Sequence, residues 1–161
     1  MKISKLPYWV KIGIGILICN GVGLLASSVT LDAIPEWYTH LNKPFFNPPN
    51  WLFGPVWTIL YTLMGISAAA IWQAGLDQER VKKALYVFAT QLGLNAMWSF
   101  LFFGYKNPLF AFIEILCLLV VIVVTIIHFR KIVPWAAWLL VPYLIWVAFA
   151  SLLNFSIYLL N

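Results

Sequence analysis

Five apolar runs, each close to the roughly 20 residues a helix needs to cross hydrocarbon, leave this chain few ways to fold. They are predicted at Trp9 to Val29, Trp51 to Ala74, Val81 to Phe103, Pro108 to Phe129 and Pro134 to Leu160. A bilayer offers no water to satisfy backbone N–H and C=O groups, so runs of this length must be helices. The links at Gly75 to Arg80, Gly104 to Asn107 and Arg130 to Val133 are short, which makes consecutive helices antiparallel neighbours. The expected fold is an all-α integral membrane protein, a bundle of five transmembrane helices in a single domain over residues 1–161. Only 9% of the residues are charged, against roughly 25% in a soluble domain. The net charge of +5 is scattered over short loops, so it points to topology and lipid headgroups and not to nucleic acid.

The basic residues are divided unevenly between the two ends of the bundle. Lys2, Lys5, Lys11, Arg80, Lys82, Lys83, Arg130 and Lys131 fall at one end, and only Lys43 and Lys106 at the other. For a multi-pass protein of the cell membrane, the positive-inside rule then makes the N-terminus cytoplasmic and puts the C-terminus and the long first link outside. The first run ends in Ala26-Ser27-Ser28 and superficially resembles a signal peptide. It is nevertheless long enough to span, and four further spans follow it, so it is expected to be retained. Cys19 and Cys117 lie in separate apolar runs with no metal-ligand spacing around them, and both are expected to pack in the interior.

The link from Thr30 to Asn50 is the only long one. Asp32 can cap a short helix there, Pro35 and Glu36 suit its first turn, and Ile34, Trp37, Tyr38 and Leu41 share one face. Next comes KPFFNPPNWLFGPVWTILY, Lys43 to Tyr61. Pro44, Pro48 and Pro49 hold the chain extended, forming a rigid strap that runs into the mouth of the second helix. A long structured link of this kind reads as a lid loop over a pocket. The alternative is an interfacial helix anchored by Trp37 and Tyr38. Pro142, inside the fifth run, predicts a bend; Pro55 marks either a kink or the true start of the second helix.

Of the nine tryptophans, Trp9, Trp72, Trp135, Trp138, Trp37 and Trp51 fall at predicted helix ends, as an aromatic belt requires. Trp57 and Trp98 come out roughly 9 Å deep and Trp146 roughly 20 Å deep, counting about 1.5 Å per residue. Gln91, Asn95 and Trp98 form one helical stripe; Trp146, Ala150 and Asn154 form another. Polar groups avoid lipid, so both stripes should face the bundle interior, where they either bond one another or meet a ligand alongside Trp57 and Tyr61. Glu114 is the only acid well inside a span, which suggests a protonated or bonded carboxyl and opens a proton-coupled role. His40 and His128 are predicted at opposite ends, and no nucleophile has a neighbouring base.

The strap and the helix after it, together with QLGLNAMWSFLFFG (Gln91 to Gly104) and LLVPYLIWVAFASLLNFSIYLLN (Leu139 to Asn161), resemble the TspO/MBR family of tryptophan-rich sensory and translocator proteins. The resemblance implies binding of porphyrins, such as protoporphyrin IX, and of other flat apolar molecules, with no cofactor required. At matching positions it implies a pocket lined by Tyr38, Pro44, Trp51, Trp57, Tyr61, Asn95, Trp98, Trp146 and Ala150. It also implies a homodimer, for which Ala89 and Gly93 on the third helix offer a small-residue face, and in bacterial relatives a light-dependent porphyrin degradation tied to Trp57 and Trp146. No Arg or Lys follows Tyr158, so the animal cholesterol motif is incomplete. Three readings follow: a receptor for tetrapyrroles, an enzyme-like photo-oxidative degradation, and a transporter of porphyrin or lipid.

Overall fold

A computed structural model describes residues 5–161, so Lys2 in the charge count lies outside the described residues. Helix α1 (Tyr8–Glu36) leads into a single 3-10 turn at Tyr38–His40 and an extended strap, which delivers the chain to α2 (Asn50–Gln73). Helix α3 (Glu79–Ser99) ends in a π turn at Phe100–Gly104, and α4 (Pro108–Arg130) follows. The fifth span is broken into α5 (Pro134–Trp138) and α6 (Val141–Leu160). Five segments are long and apolar enough to cross a membrane, as expected.

Packing orders the spans around a ring. Helix α1 packs chiefly on α2, α2 meets α5, the fifth span lies on α4, α4 on α3, and α3 returns to α1. The consecutive helices α2 and α3 also touch, less extensively than α1 and α2 or α3 and α4. At the tightest point of the α1–α2 seam the backbones of Gly15 and Gly65 touch. A Cβ on Gly65 would lie 2.5 Å from the carbonyl carbon of Gly15, and only glycine allows that approach. Higher on the same seam, a Cβ on Gly23 would overlap the ring of Tyr61.

Four local expectations are corrected. The separate helix capped by Asp32 does not form, because α1 continues through Asp32 to Glu36. Pro35 falls in the last turn of α1, where its missing donor removes only one bond, and the Trp37 N–H closes the helix on the Ala33 carbonyl at 2.9 Å. The expected apolar face survives all the same: Ile34, Trp37 and Leu41 pack with Tyr38 around Phe102. Pro142 does not bend a continuous helix; it sits at the start of α6, after a break at Leu139 and Leu140, where its lack of an N–H is harmless. Cys19 is buried but Cys117 is exposed, on the outward stripe of α4 with Ile113, Leu116 and Val120. Trp9, Trp51, Trp135 and Trp138 face outward as a belt should, whereas Trp37 packs edge-on against Phe102 and Trp72 lies under the Lys11 ammonium.

Gly54-Pro55 is not the start of the second helix, since α2 begins at Asn50 and runs through Pro55. Asn107 caps α4 by accepting from the Phe110 N–H at 3.1 Å, with Pro108 as the first helical residue behind it. Lys106, at φ 54°, makes the sharp reversal before that cap.

Candidate functional site

The strap starts from a tightly held corner. Lys43 folds back so that its ammonium donates to the carbonyls of Tyr38 (2.9 Å), Leu41 (3.1 Å) and Thr39 (3.4 Å) and lies 4.9 Å from the Tyr38 ring. The Tyr38 hydroxyl donates to Asn47 at 2.8 Å. Burial pushes this phenol up to about 12, although the Asn47 bond opposes the shift. A turn closes between the Pro44 carbonyl and the Asn47 N–H, and Pro49 is extended before α2 begins. Asn42 is bonded to Asn161 at the end of α6, and Phe46 packs on Phe149.

Below this corner lies a cavity of about 490 Å³, within the roughly 300–1,000 Å³ usual for small-molecule sites. Tyr38, Trp51, Trp57, Tyr61, Asn95, Trp98, Trp146 and Ala150 all line it. Pro44 does not; it acts on the cavity only through the strap it stiffens. Trp57 is tilted against Tyr61 with ring centres 5.5 Å apart, Trp98 stacks on Phe102 at 5.1 Å, and Trp146 meets Phe53 at 6.1 Å. The walls are thus flat aromatic faces held from three helices.

Hydrogen bonds sort the polar residues of the two stripes. Tyr61 donates to Asn95 Oδ1 (2.9 Å), Asn95 Nδ2 to the Tyr143 hydroxyl (2.7 Å), and Tyr143 to Gln91 Oε1 (2.7 Å). This chain pins α2, α3 and α6 together. The Trp98 indole donates to Asn154 Oδ1 at 2.9 Å, and Asn154 donates in turn to the Pro108 carbonyl at 2.7 Å. Gln91, Asn95, Trp98 and Asn154 therefore bond within the bundle, and interhelical bonding accounts for both stripes. Trp57 and Trp146 differ, since neither indole N–H has a partner among the described residues.

One wall was not legible from the stripes on the later helices. Asn20, Gly23, Ser27, Thr30 and Ile34 of α1 also line the cavity, and the small or polar character of the first four at helical spacing was the available signal. Phe102 was hidden by the π turn. That turn closes with the Tyr105 N–H on the Phe100 carbonyl at 2.8 Å, and the wider turn re-aims the aromatic residues after Trp98.

Lining residues that are also exposed belong to only two helices. They are Leu24 and Leu31 of α1, with Asn50, Trp51, Gly54 and Thr58 of α2, whereas the lining residues of α3 and α6 are buried or half-buried. The cavity is thus open sideways along the α1–α2 seam, beyond the Gly23–Tyr61 contact. Glu114 and His40 are not among the lining residues. Among the described residues no three His, Cys, Asp or Glu side chains are grouped to hold a metal ion.

Comparison with known proteins matches residues 15–160 to the model of the TspO/MBR family. The chain is 46% identical over 155 residues to the tryptophan-rich protein TspO of Archaeoglobus fulgidus, covering 94% of this chain and 97% of that one. It is 40% identical over 139 residues to a tryptophan-rich sensory protein of Cereibacter sphaeroides (86% and 85% covered). To the translocator protein of Ovis aries it is 36% identical over 154 residues (94% and 90%).

Proposed function

Because the chain belongs to the TspO/MBR family, we propose that it is a membrane receptor or sensor for flat, apolar ligands of the tetrapyrrole class, held beneath the strap between aromatic walls. One observation carries this reading. In a cavity where Tyr61, Asn95, Trp98 and Asn154 are bonded within the bundle, the indole N–H groups of Trp57 and Trp146 have no partner among the described residues and are available to a ligand. A planar macrocycle stacks on tryptophan and tyrosine faces, and its edge atoms accept from the two indoles. The names of relatives, a sensory protein in one case and a translocator in another, agree with a binding role at a membrane.

The decisive experiment is a titration of protoporphyrin IX against the protein in lipid, first in the dark and then in light. Saturable dark binding that weakens on Trp57→Phe or Trp146→Phe supports the receptor. An absence of saturable binding overturns it. The same two indoles favour a second reading, in which light-excited porphyrin and dioxygen oxidise the bound ring with Trp57 and Trp146 as redox partners. Loss of porphyrin in light, abolished by both substitutions at unchanged dark affinity, would establish that reading. Transport of porphyrin or lipid through Glu114 has no comparable support, because the carboxyl lies outside the lining.

Orientation and assembly belong to the same reading. Lys5, Lys11, Arg80, Lys82, Lys83, Arg130 and Lys131 gather at the end opposite the strap, so the N-terminus is cytoplasmic and the strap and C-terminus lie outside. A tag at Asn161 that labels only in permeabilised cells would reverse this. Gly93 on the exposed face of α3 has nothing within 4 Å of an added Cβ. With Ala89 one turn away, this part of α3 is the small-residue face proposed for a homodimer.

A further inference from the structure

We propose that the side mouth between α1 and α2 is a binding site for one acyl chain of a phospholipid, drawn from the leaflet at the strap end. This inference does not depend on which ligand the cavity takes. Leu24 and Leu31 on one side and Gly54 and Thr58 on the other both line the cavity and are exposed. Thr58 lies about 12 Å along α2 from Asn50, at about 1.5 Å per residue, which is hydrocarbon depth. Nearer the interface, Asn50 and the 71% exposed Trp51 stand where glycerol and headgroup lie.

An apolar space that opens onto liquid hydrocarbon does not stay empty, since its walls would forfeit their dispersion contacts. Water is a poor filler. It needs several polar partners, and the lining is mostly apolar, with Tyr61, Asn95, Trp98 and Asn154 already bonded within the bundle. A methylene chain matches both the lining and the source. Toward the other end the seam is shut by the Gly15–Gly65 backbone contact, so the chain enters from one direction only. Any ligand must displace it.

The test uses the full chain in bilayers of phosphatidylcholine with brominated acyl chains, which quench tryptophan on contact, and no porphyrin. The contribution of the cavity indoles is the difference between wild type and Trp57→Phe/Trp146→Phe; should the double variant fail to fold, the two single variants give the contribution of each indole separately. Bromolipid is expected to quench this contribution and aqueous iodide to leave it intact. Gly54→Leu, whose added side chain meets open space, should then lose most of the quenching by filling the mouth. Cavity indoles that stay bright in brominated lipid overturn the proposal. So does quenching by iodide, or bromolipid quenching that is undiminished in Gly54→Leu. With porphyrin absent, either result leaves the tetrapyrrole reading to its own titration.

Discussion

Asn42 and Asn161 hold each other across the strap end of the bundle. The Asn42 N–H donates to Asn161 Oδ1 at 3.0 Å, and Asn161 Nδ2 donates to the Asn42 carbonyl at 2.9 Å. The strap is thereby tied to α6, on which Trp146 rides. Each exposed bond of this kind is worth about 0.5–1.5 kcal/mol. Asn161→Ala should speed hydrogen exchange at residues 41–49 and raise the rate of ligand dissociation several-fold, with little change in thermal stability. Unaltered exchange in the strap would show that Lys43 and Asn47 hold it unaided.

Tyr143 is the node of the buried chain, and Tyr61 is its end. Tyr143→Phe leaves both Gln91 Oε1 and Asn95 Nδ2 without their partner, while Tyr61→Phe strips only Asn95 Oδ1. An unsatisfied buried group costs about 1–3 kcal/mol, so Tyr143→Phe should lower stability roughly twice as much as Tyr61→Phe. Thermal unfolding in lipid measures the difference, and equal losses would contradict the network.

Two glycines separate contact from propensity. Gly65→Ala drives a methyl group into the backbone of Gly15 and should destabilise the bundle by about 1–3 kcal/mol, as overpacking does. Gly93→Ala meets open space in the single chain and should be neutral or stabilising by about 0.5–1 kcal/mol, because alanine favours helix. A loss at Gly93 that appears only in the dimer would identify the partner face.

The three deep indoles should fail in two different ways. Trp98→Phe removes the donor to Asn154 and should cost stability first and binding only as a consequence. Trp57→Phe and Trp146→Phe remove no bond within the described chain, so stability should hold while dark porphyrin affinity falls by about 1 kcal/mol, the usual worth of one hydrogen bond. Trp9, 74% exposed, is the control. If Trp9→Phe weakens binding equally, the cavity is not the site.

Both carboxylate oxygens of Glu114 are buried without a partner among the described residues. An uncompensated polar group in an apolar interior costs about 1–3 kcal/mol or more, so Glu114→Leu should raise the melting temperature. A fall would mean that the carboxyl serves a group that binds there.

Run length alone was enough to reveal the five spans, and the stripes through Asn95 and Trp146 pointed inward as their polarity required. Which polar atoms remained free could not be read in advance. Asn95 and Trp98 look equal to Trp57 on a helical wheel, and only the positions of Tyr143 and Asn154 on a different helix show that they are already occupied. The continuation of α1 was missed for a local reason. Pro35 and Asp32 are start signals in isolation, but a proline in a last turn costs a single bond, and the packing of Ile34 and Trp37 on Phe102 outweighs it. The π turn has no composition signal in FLFFG, and Phe102 was lost with it.

Helix α1 is unbroken from Tyr8 to Glu36, and that continuity gives the protein a mechanical line across the bilayer. One end of this rod carries a cavity wall and the Tyr38 corner; the other carries Lys11, bonded to Gln73 at 2.9 Å near the opposite surface. Gly15 against Gly65 lies between them. The cavity wall at the strap end and the Lys11 anchor at the far end therefore belong to one continuous element, whose tightest contact with its neighbour falls between the two.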